Sequence, residues 1–490
     1  MNDLTAHCVN NGTNYEEVRK RIDDINPYKQ DIYKKRDDLS LSRLFSVVFK
    51  DQARFNATAR EWFYYDGKVW KRDTGSMNVE QYAKTFIKAL QVYAVTKTED
   101  QDFQKFLSRY GDRPNRKRMI EDARDFNFIE QEDFDQDPDL FNCQNCVIRL
   151  STRERLPHDS TLLLSKISNV YYDPDVRSED FDQFIHQVLM NDDQKINYLQ
   201  RVFGYALTGE NTQEQCYMCY GSSTRNGKST LLDVIGYMFG DYGMNIKPET
   251  LAQKDRDSRS ASGDIARLDG CRFLHMSEPP KKMKFDVALL KTLIGRDVIT
   301  ARNLYEREFE FIPVFKLVIN TNFLPVVTDD TLFSSERVKV ITFDRHFNRE
   351  EQDRQLKGRL KRNKNLTGIF NWCLDGLRAF YDEGGVLVEP DCVIKATEDY
   401  RKKSDKIQNF IDDCLELSPG SNIKIKESYN VFEIWCRENG FGTENKSNFT
   451  EEIKAKGMFS KTATINGQTV RNIIKDYKIR EEYLNFVPVF

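Results

Sequence analysis

The sequence predicts an α/β protein whose chemistry sits on a mainly parallel, helix-covered sheet. Three observations lead there. Strand-like and helix-like segments alternate across residues 215–343, the pattern of a parallel sheet covered on both faces. A loop of small polar residues, GSSTRNGKST, joins a predicted strand to a predicted helix. The flanks break the alternation, reading as mixed α+β before it and as helices closed by a hairpin after it. With 490 residues the chain is too long for one core. The expected division is an α+β N-terminal domain over 1–175, a helical lead-in over 176–212, a phosphate-loop core over 213–395 and a winged helix over 396–490.

Residues 1–40 are polar and charged, and apolar content rises from Ser42. In Trp62–Trp70, Asp66-Gly67 stands between aromatic flanks and signals a hairpin. Residues 78–130 read mainly as helix, interrupted near Gly111–Pro114; Phe141–Pro157 and Ile167–Tyr172 read as short strands and turns. Asp173-Pro174 marks a boundary, and 180–208 are helical up to Gly209. The core is expected to run from strand QCYMCY through a helix from Lys228 to Phe239 to strands CRFLHMS, KLVINT and VKVITF. Helices fill 350–416. Tyr429, Phe432 and Trp435 then recur at helical spacing on a helix reaching Gly440. Ser447 is expected to cap a second helix ending near Gly457, and Asn466-Gly467 to turn a hairpin, the candidate wing.

Lys and Arg total 74 against 77 Asp and Glu, a net charge of −3, so any nucleic acid must be held by local patches. The longest apolar runs, such as Leu44–Phe49, are too short to span a bilayer. The N-terminus lacks the basic start of a secretory signal. The 10 cysteines read as reduced thiols of a cytoplasmic protein. The pairs Cys143/Cys146 and Cys216/Cys219 read as structural rather than as a zinc site, since no His-x3-His companion accompanies them.

In Gly221–Thr230 the backbone amides and helix N-terminus suit a polyphosphate. The expected nucleotide-binding residues are Gly221, Asn226, Gly227, Lys228, Ser229 and Thr230, with ATP and Mg²⁺ as ligands. Lys228 would reach the β- and γ-phosphates, and the Ser229 hydroxyl would ligate the metal. Five residues separate Gly221 from Gly227 where four are usual, so Ser222 stands at the expected first glycine. Strand CRFLHMS delivers Glu278 at its C-terminal end, where open α/β sheets gather functional groups; a carboxylate there orients the attacking water or holds the metal. Such strands usually end in two acidic residues, and here Ser277 precedes Glu278. Strand KLVINT delivers Asn322, either to hold water or γ-phosphate or to form an Asx turn before Pro325. Arg337 opens the next strand, placed to stabilise a transferring phosphoryl group in its own or a neighbouring subunit, or to pair with Glu336.

Together these residues resemble superfamily 3 helicases of the phage, plasmid and poxvirus primase-helicase group. The resemblance runs through YLQRVFGYALTGENTQEQ, IARLDGCRFLHMSEP, LLKTLIGRDVITARNLYEREFEF, FKLVINTNFLP and ERVKVITF, and upstream through NCQNCVIRLSTRERLPH, where Cys146 replaces the usual Gly. It implies an AAA+-type P-loop motor, a homo-hexameric ring translocating on single-stranded DNA, with ATP between subunits and Arg337 acting on the neighbour's nucleotide. The family commonly pairs two arginines here, and Glu336 occupies the first place. It also implies a β-hairpin in the ring's pore, with Val298–Arg302 and Glu308–Ile312 as arms. Phe309 and Phe311 alternate with Glu308 and Glu310 as a half-buried strand requires. Arg302, Asn303, Tyr305 and Arg307 at the tip would pair with phosphates and stack on bases.

In the winged helix, Lys446, Lys454, Lys456, Lys461 and Arg471 would meet duplex DNA, with a structural or protein-binding module as the alternative. The resemblance therefore implies a replicative DNA helicase or initiator of a phage, plasmid or pathogenicity-island-like element, working in the cytoplasm of a bacterial host beside a primase or other replication proteins. The rival readings are a bifunctional primase-helicase and an origin-binding loader that uses ATP as an assembly switch. The first lacks a zinc ribbon or a clear Asp-x-Asp pair.

Overall fold

The computed structural model describes residues 15–27, 35–253, 262–281, 283–302, 308–325, 327, 331–439, 443, 445–465 and 468–486. They form two compact units: residues up to Pro325 with Arg337–Val393, and Val326–Glu336 with Ile394 onward.

The first unit opens with helices α1 (Tyr15–Ile25) and α2 (Asp38–Val48), packed with α3 (Met77–Lys97), α4 (Gln101–Ser108) and α5 (Arg113–Asp122). Asp37 caps α2 by accepting from the Ser40 amide at 2.7 Å, and Phe49 stacks on Tyr82. The expected helical run over 78–130 breaks near Gly111 and also before Asp100. The Asp100 carboxylate accepts from the Phe103 amide at 2.9 Å and starts a new helix. Beside the helices, β1 (Ala53–Asn56), β2 (Glu61–Tyr65), β3 (Trp70–Arg72) and β4 (Phe128–Ile129) form a sheet of order β3-β2-β1-β4. The hairpin at Asp66-Gly67 is present: Asp66 accepts from the amides of Lys68 and Val69, and Tyr65 pairs with Trp70.

Strands β5 (Leu140–Asn142), β6 (Val147–Arg149) and β7 (Glu154–Leu156) form the next sheet, with Cys143 and Cys146 buried in the β5–β6 turn. Ile167–Tyr172, part of the stretch expected as short strands and turns, holds no strand. Its backbone lies along that turn instead, with Ser168 N donating to Asn142 O and Gln144 N to Val170 O. The lead-in is helical but divided, into α6 (Glu179–Val188) and α7 (Asp193–Ala206), because the Asp192 side chain caps α7.

Five parallel strands follow: β8 (Cys216–Tyr220), β9 (Gly243–Ile246), β10 (Phe273–Ser277), β13 (Lys316–Thr321) and β14 (Val338–Thr342), in the order β14-β8-β13-β10-β9. The near-continuous burial of β8, β10, β13 and β14 is what two covered faces demand. Helix α8 (Lys228–Phe239) follows β8. Helix α9 (Val287–Ile294) leads into the two-stranded ribbon of β11 (Ile299–Ala301) and β12 (Phe309–Phe311). The long α10 (Asn363–Asp382) lies against α7 so closely that a methyl at Gly204 would stand 2.2 Å from Leu377 N, and one at Gly376 2.1 Å from Gln200 O.

All strands of the sheet start at one edge, and that edge is rich in buried cations. Arg272 Nη1 donates to Leu207 O at 2.7 Å, with the guanidinium 4.8 Å over the Tyr242 ring. Lys316 Nζ donates to Thr208 O at 2.8 Å and Val314 O at 3.1 Å, 4.3 Å over Tyr205. Both terminate α7 by satisfying carbonyls just beyond its end.

The second unit holds α11 (Lys406–Cys414), β15 (Leu415–Lys424), α12 (Ile425–Glu438), α13 (Lys446–Ala455), β16 (Phe459–Ile465) and β17 (Gln468–Ile479), with an antiparallel sheet of order β15-β17-β16. Phe410, Phe432, Trp435 and Phe449 make its core. Ser447 does not cap the second helix: the Asn445 side chain does, accepting from Asn448 N at 2.8 Å, so the helix starts two residues earlier than expected. Ile465 pairs with Gln468; Gly440, Asn466 and Gly467 lie outside the described residues.

Candidate functional site

The site is built at the edge where the parallel strands end. Helix α8 begins at Lys228, directly after the loop that leaves β8. Lys228 is only 2% exposed, and its Nζ donates to Asn322 Oδ1 at 2.9 Å, just beyond the end of β13. Burial lowers the Lys228 ammonium to about 8, while nearby Cys219 and Glu278 act in the opposite direction. The loop has room for the lysine only because residue 221 has no side chain. A Cβ there would lie 2.2 Å from Asn226 Nδ2 and 2.8 Å from Lys228 Nζ. Asn226 ties the loop internally, donating to Ser223 O at 2.7 Å.

Glu278 stands exposed just after β10 with φ of 49°, its amide donating to Asn320 O at 2.8 Å. Ser229, in the first turn of α8, accepts from Asn320 Nδ2 at 3.0 Å. The hydroxyl of Ser229 and the carboxylate of Glu278 are the hard oxygen donors that Mg²⁺ takes, so these residues suit that ion. The remaining wall is chain beyond β14. Phe343 N donates to Tyr220 O, His346 Nδ1 to Thr224 O at 2.8 Å, and Phe347 N to Arg225 O at 2.9 Å.

Lys228, Ser229, Glu278 and Asn322 therefore converge, and Arg337 does not join them. The Arg337 carbonyl accepts from Cys216 N, which puts Arg337 beside the first residue of β8. The loop follows the last residue of β8, roughly 17 Å away at about 3.3 Å per residue. Its guanidinium pairs with Glu214 at 2.7 Å and donates to Lys291 O at 3.2 Å, so the ion pair is with Glu214 rather than Glu336. Sequence reasoning passed over Asn320 and His346. Asn320 carried a signal: it lies two residues before Asn322, the spacing that keeps side chains on one face of an extended chain.

The hairpin arms are present as β11 and β12, with Phe309 and Phe311 buried and Glu310 exposed. Arg302 is exposed, 3.9 Å from Glu308; Asn303, Tyr305 and Arg307 lie outside the described residues. In the second unit Lys446, Lys461 and Arg471 are exposed. Lys454 pairs with Glu451 and lies over Phe459. Lys456 is committed to structure, binding Asp405 at 2.7 Å and Gln408 at 3.2 Å. Cys216 and Cys219 are buried within β8, their thiols pushed up to about 12 by that burial.

Three family models match the chain: "D5 N terminal like" over residues 42–190, a family of unknown function over 219–337, and "Poxvirus D5 protein-like" over 402–487. A protein named "Putative helicase" from Acanthamoeba polyphaga mimivirus is 28% identical over 347 residues, covering 66% of this chain and 36% of its own length. Another of that name from Frog virus 3 (isolate Goorha) is 27% identical over 237 residues, covering 44% of this chain and 23% of its own length. The chain thus spans about a third or less of the length of these two relatives. Both are viral, and neither lends support to a bacterial host. A solved structure, the apo C-terminal region of NrS-1 (305–718), aligns with a TM-score of 0.48 at 14% identity over 90% of this chain and 99% of that one. Among the described residues no helix is long and apolar enough to cross a membrane.

Proposed function

Since the chain belongs to the D5-like primase-helicase group of superfamily 3, we propose that it is an ATP-driven DNA helicase serving replication of a mobile genetic element. One observation carries this reading: a buried lysine at the head of a helix, held 2.9 Å from a neutral amide that leaves the adjacent strand. A neutral partner gives way to phosphate oxygens, because a full negative charge attracts the ammonium more strongly than an amide dipole does at the same distance. Lys228 then grips the β- and γ-phosphates from within the glycine cradle, and the exposed Glu278 orients the attacking water. Ser229 and Glu278 would hold Mg²⁺, which when bound supplies charge neutralisation on the phosphates. Asn322, released by Lys228, is free to hold the γ-phosphate or the water.

Arg337 lies a full strand length from its own loop, which favours action on a neighbouring subunit's nucleotide, and so a ring, the homo-hexamer of the family. We further assign an AAA+-type core to residues 213–395, with the N-terminal domain over 1–175 and the lead-in over 176–212. The ribbon of β11 and β12 would be the pore hairpin, bringing Arg302, Asn303, Tyr305 and Arg307 to one DNA strand. Residues 396–490 would be a winged helix, whose helix-strand-helix-helix-hairpin order supports that assignment. There Lys446, Lys454, Lys461 and Arg471 remain the DNA-contacting candidates, and the ion pairing of Lys456 argues for a structural role.

The test is ATP hydrolysis and strand separation on forked DNA. The expected result is hydrolysis stimulated by single-stranded DNA and ATP-dependent unwinding. Stimulated hydrolysis without unwinding would instead favour an initiator or loader, and primer synthesis on a template a primase-helicase. A protein that neither hydrolyses Mg²⁺-ATP nor responds to DNA refutes the proposal.

A further inference from the structure

The strand that ends in Glu278 lacks its customary second carboxylate, since Ser277 occupies that place. The register of the sheet shows what stands beside the gap: Ser277 on β10 pairs with Asn320 on β13. Adjacent strands lie about 4.8 Å apart, so the two positions occupy one level of the sheet facing the head of α8. Asn320 is 2% exposed in a strand whose other residues after Lys316 are mainly apolar. A buried side-chain amide is costly unless hydrogen-bonded, and this one is bonded to the head of α8. Its Nδ2 donates to Ser229 Oγ at 3.0 Å, and its backbone carbonyl accepts from Glu278 N at 2.8 Å.

We propose that Asn320 is the positioning residue of the metal side of this site, doing from β13 what the absent carboxylate at 277 would do from β10. A serine hydroxyl has three staggered orientations. The bond from Asn320 selects one of them and occupies a single lone pair, leaving the other to face the nucleotide. The main chain of the same residue pairs with that of Glu278, a ladder bond that any residue at 320 would keep, so the contribution of the asparagine itself is the setting of Ser229. This rests on the reading of the site as one for Mg²⁺-ATP.

The test is binding of a fluorescent ATP analogue to the full chain, first in EDTA and then across a Mg²⁺ titration. Wild type should bind in EDTA and tighten with Mg²⁺. Asn320→Leu should keep its EDTA affinity within about twofold but need about tenfold more Mg²⁺, as loss of an orienting partner implies. Asn320→Asp should keep the wild-type requirement. Adding Ser277→Asp to Asn320→Leu should restore it to within about threefold, a cross-strand rescue that a packing role for Asn320 does not provide. An unchanged Mg²⁺ requirement in Asn320→Leu, or a raised one that Ser277→Asp does not repair, overturns the assignment. Should Asn320→Leu lose its cooperative melt, Asn320→Ser takes its place under the same criteria. A wild type that binds the analogue in neither condition removes the ATP reading itself, and this assignment with it.

Discussion

The two edges of the parallel sheet use buried cations in opposite ways. Where the strands begin, Arg272 and Lys316 end on carbonyls of the chain beyond α7. Those acceptors are anchored by the fold. Where the strands end, Lys228 is as deeply buried as Arg272, yet among the described residues its hydrogen-bond partner is one neutral side-chain amide. Burial alone therefore does not distinguish a working cation from a structural one. The difference is whether the partner can be exchanged: a carbonyl that terminates a helix cannot leave without cost, whereas the neutral Asn322 amide yields to an anion.

Four experiments test this contrast. Lys228→Ala should lower ATP hydrolysis on the order of 10³-fold while the protein still melts cooperatively, and hydrolysis within tenfold of wild type would erase the distinction. Arg337→Ala should cost on the order of 10²-fold in hydrolysis with ATP affinity within about threefold. Mixing that variant with Lys228→Ala subunits should restore part of the activity, because each supplies what the other lacks. Absence of rescue places Arg337 with the structural cations.

At the other edge, Arg272→Leu should leave ATP affinity within about twofold but destabilise the fold by roughly 2–4 kcal/mol, read as a lowered melting temperature. Smallest is a pH effect on stability. Lys228 has its folded pKa lowered to about 8 from 10.5, so the unfolded chain binds more protons between those values. Wild-type stability should therefore rise with pH through that window, and the cost of the buried charge is fully present below it. Lys228→Met should accordingly be more stable than wild type by roughly 1–3 kcal/mol at pH 7, the gain vanishing toward pH 10.5 in chemical denaturation.

Legibility follows the same divide. Glu278 and Asn322 could be read because each directly follows a strand, where hydrophobic pattern stops and a polar residue needs a reason, and Lys228 because it closes a small polar loop and opens a helix. Asn320 lies inside the run KLVINT, where one amide looks like a tolerated polar residue, and only the β10–β13 register shows its partner. The Arg337–Glu214 pair joins residues 123 apart in sequence, beyond any local rule, so adjacent Glu336 was the natural expectation. Strand β9, Gly-Met-Asn-Ile, is too short and mixed to show a period, and β15 contains Pro419-Gly420, which reads as a turn. The cap at Asn445 was misplaced by two residues because Asn and Ser cap almost equally well.

The glycine contact between α7 and α10 bears on how such proteins can be recombined. With Gly204 and Gly376 each meeting the opposite backbone, the two helices are cut to one another like a key and its lock. A chimera that borrows only the lead-in from a relative with alanine at position 204 would force the pair apart before any catalytic residue was touched. Transplants along this chain should exchange both helices together, and single-helix swaps should fail in folding rather than in turnover.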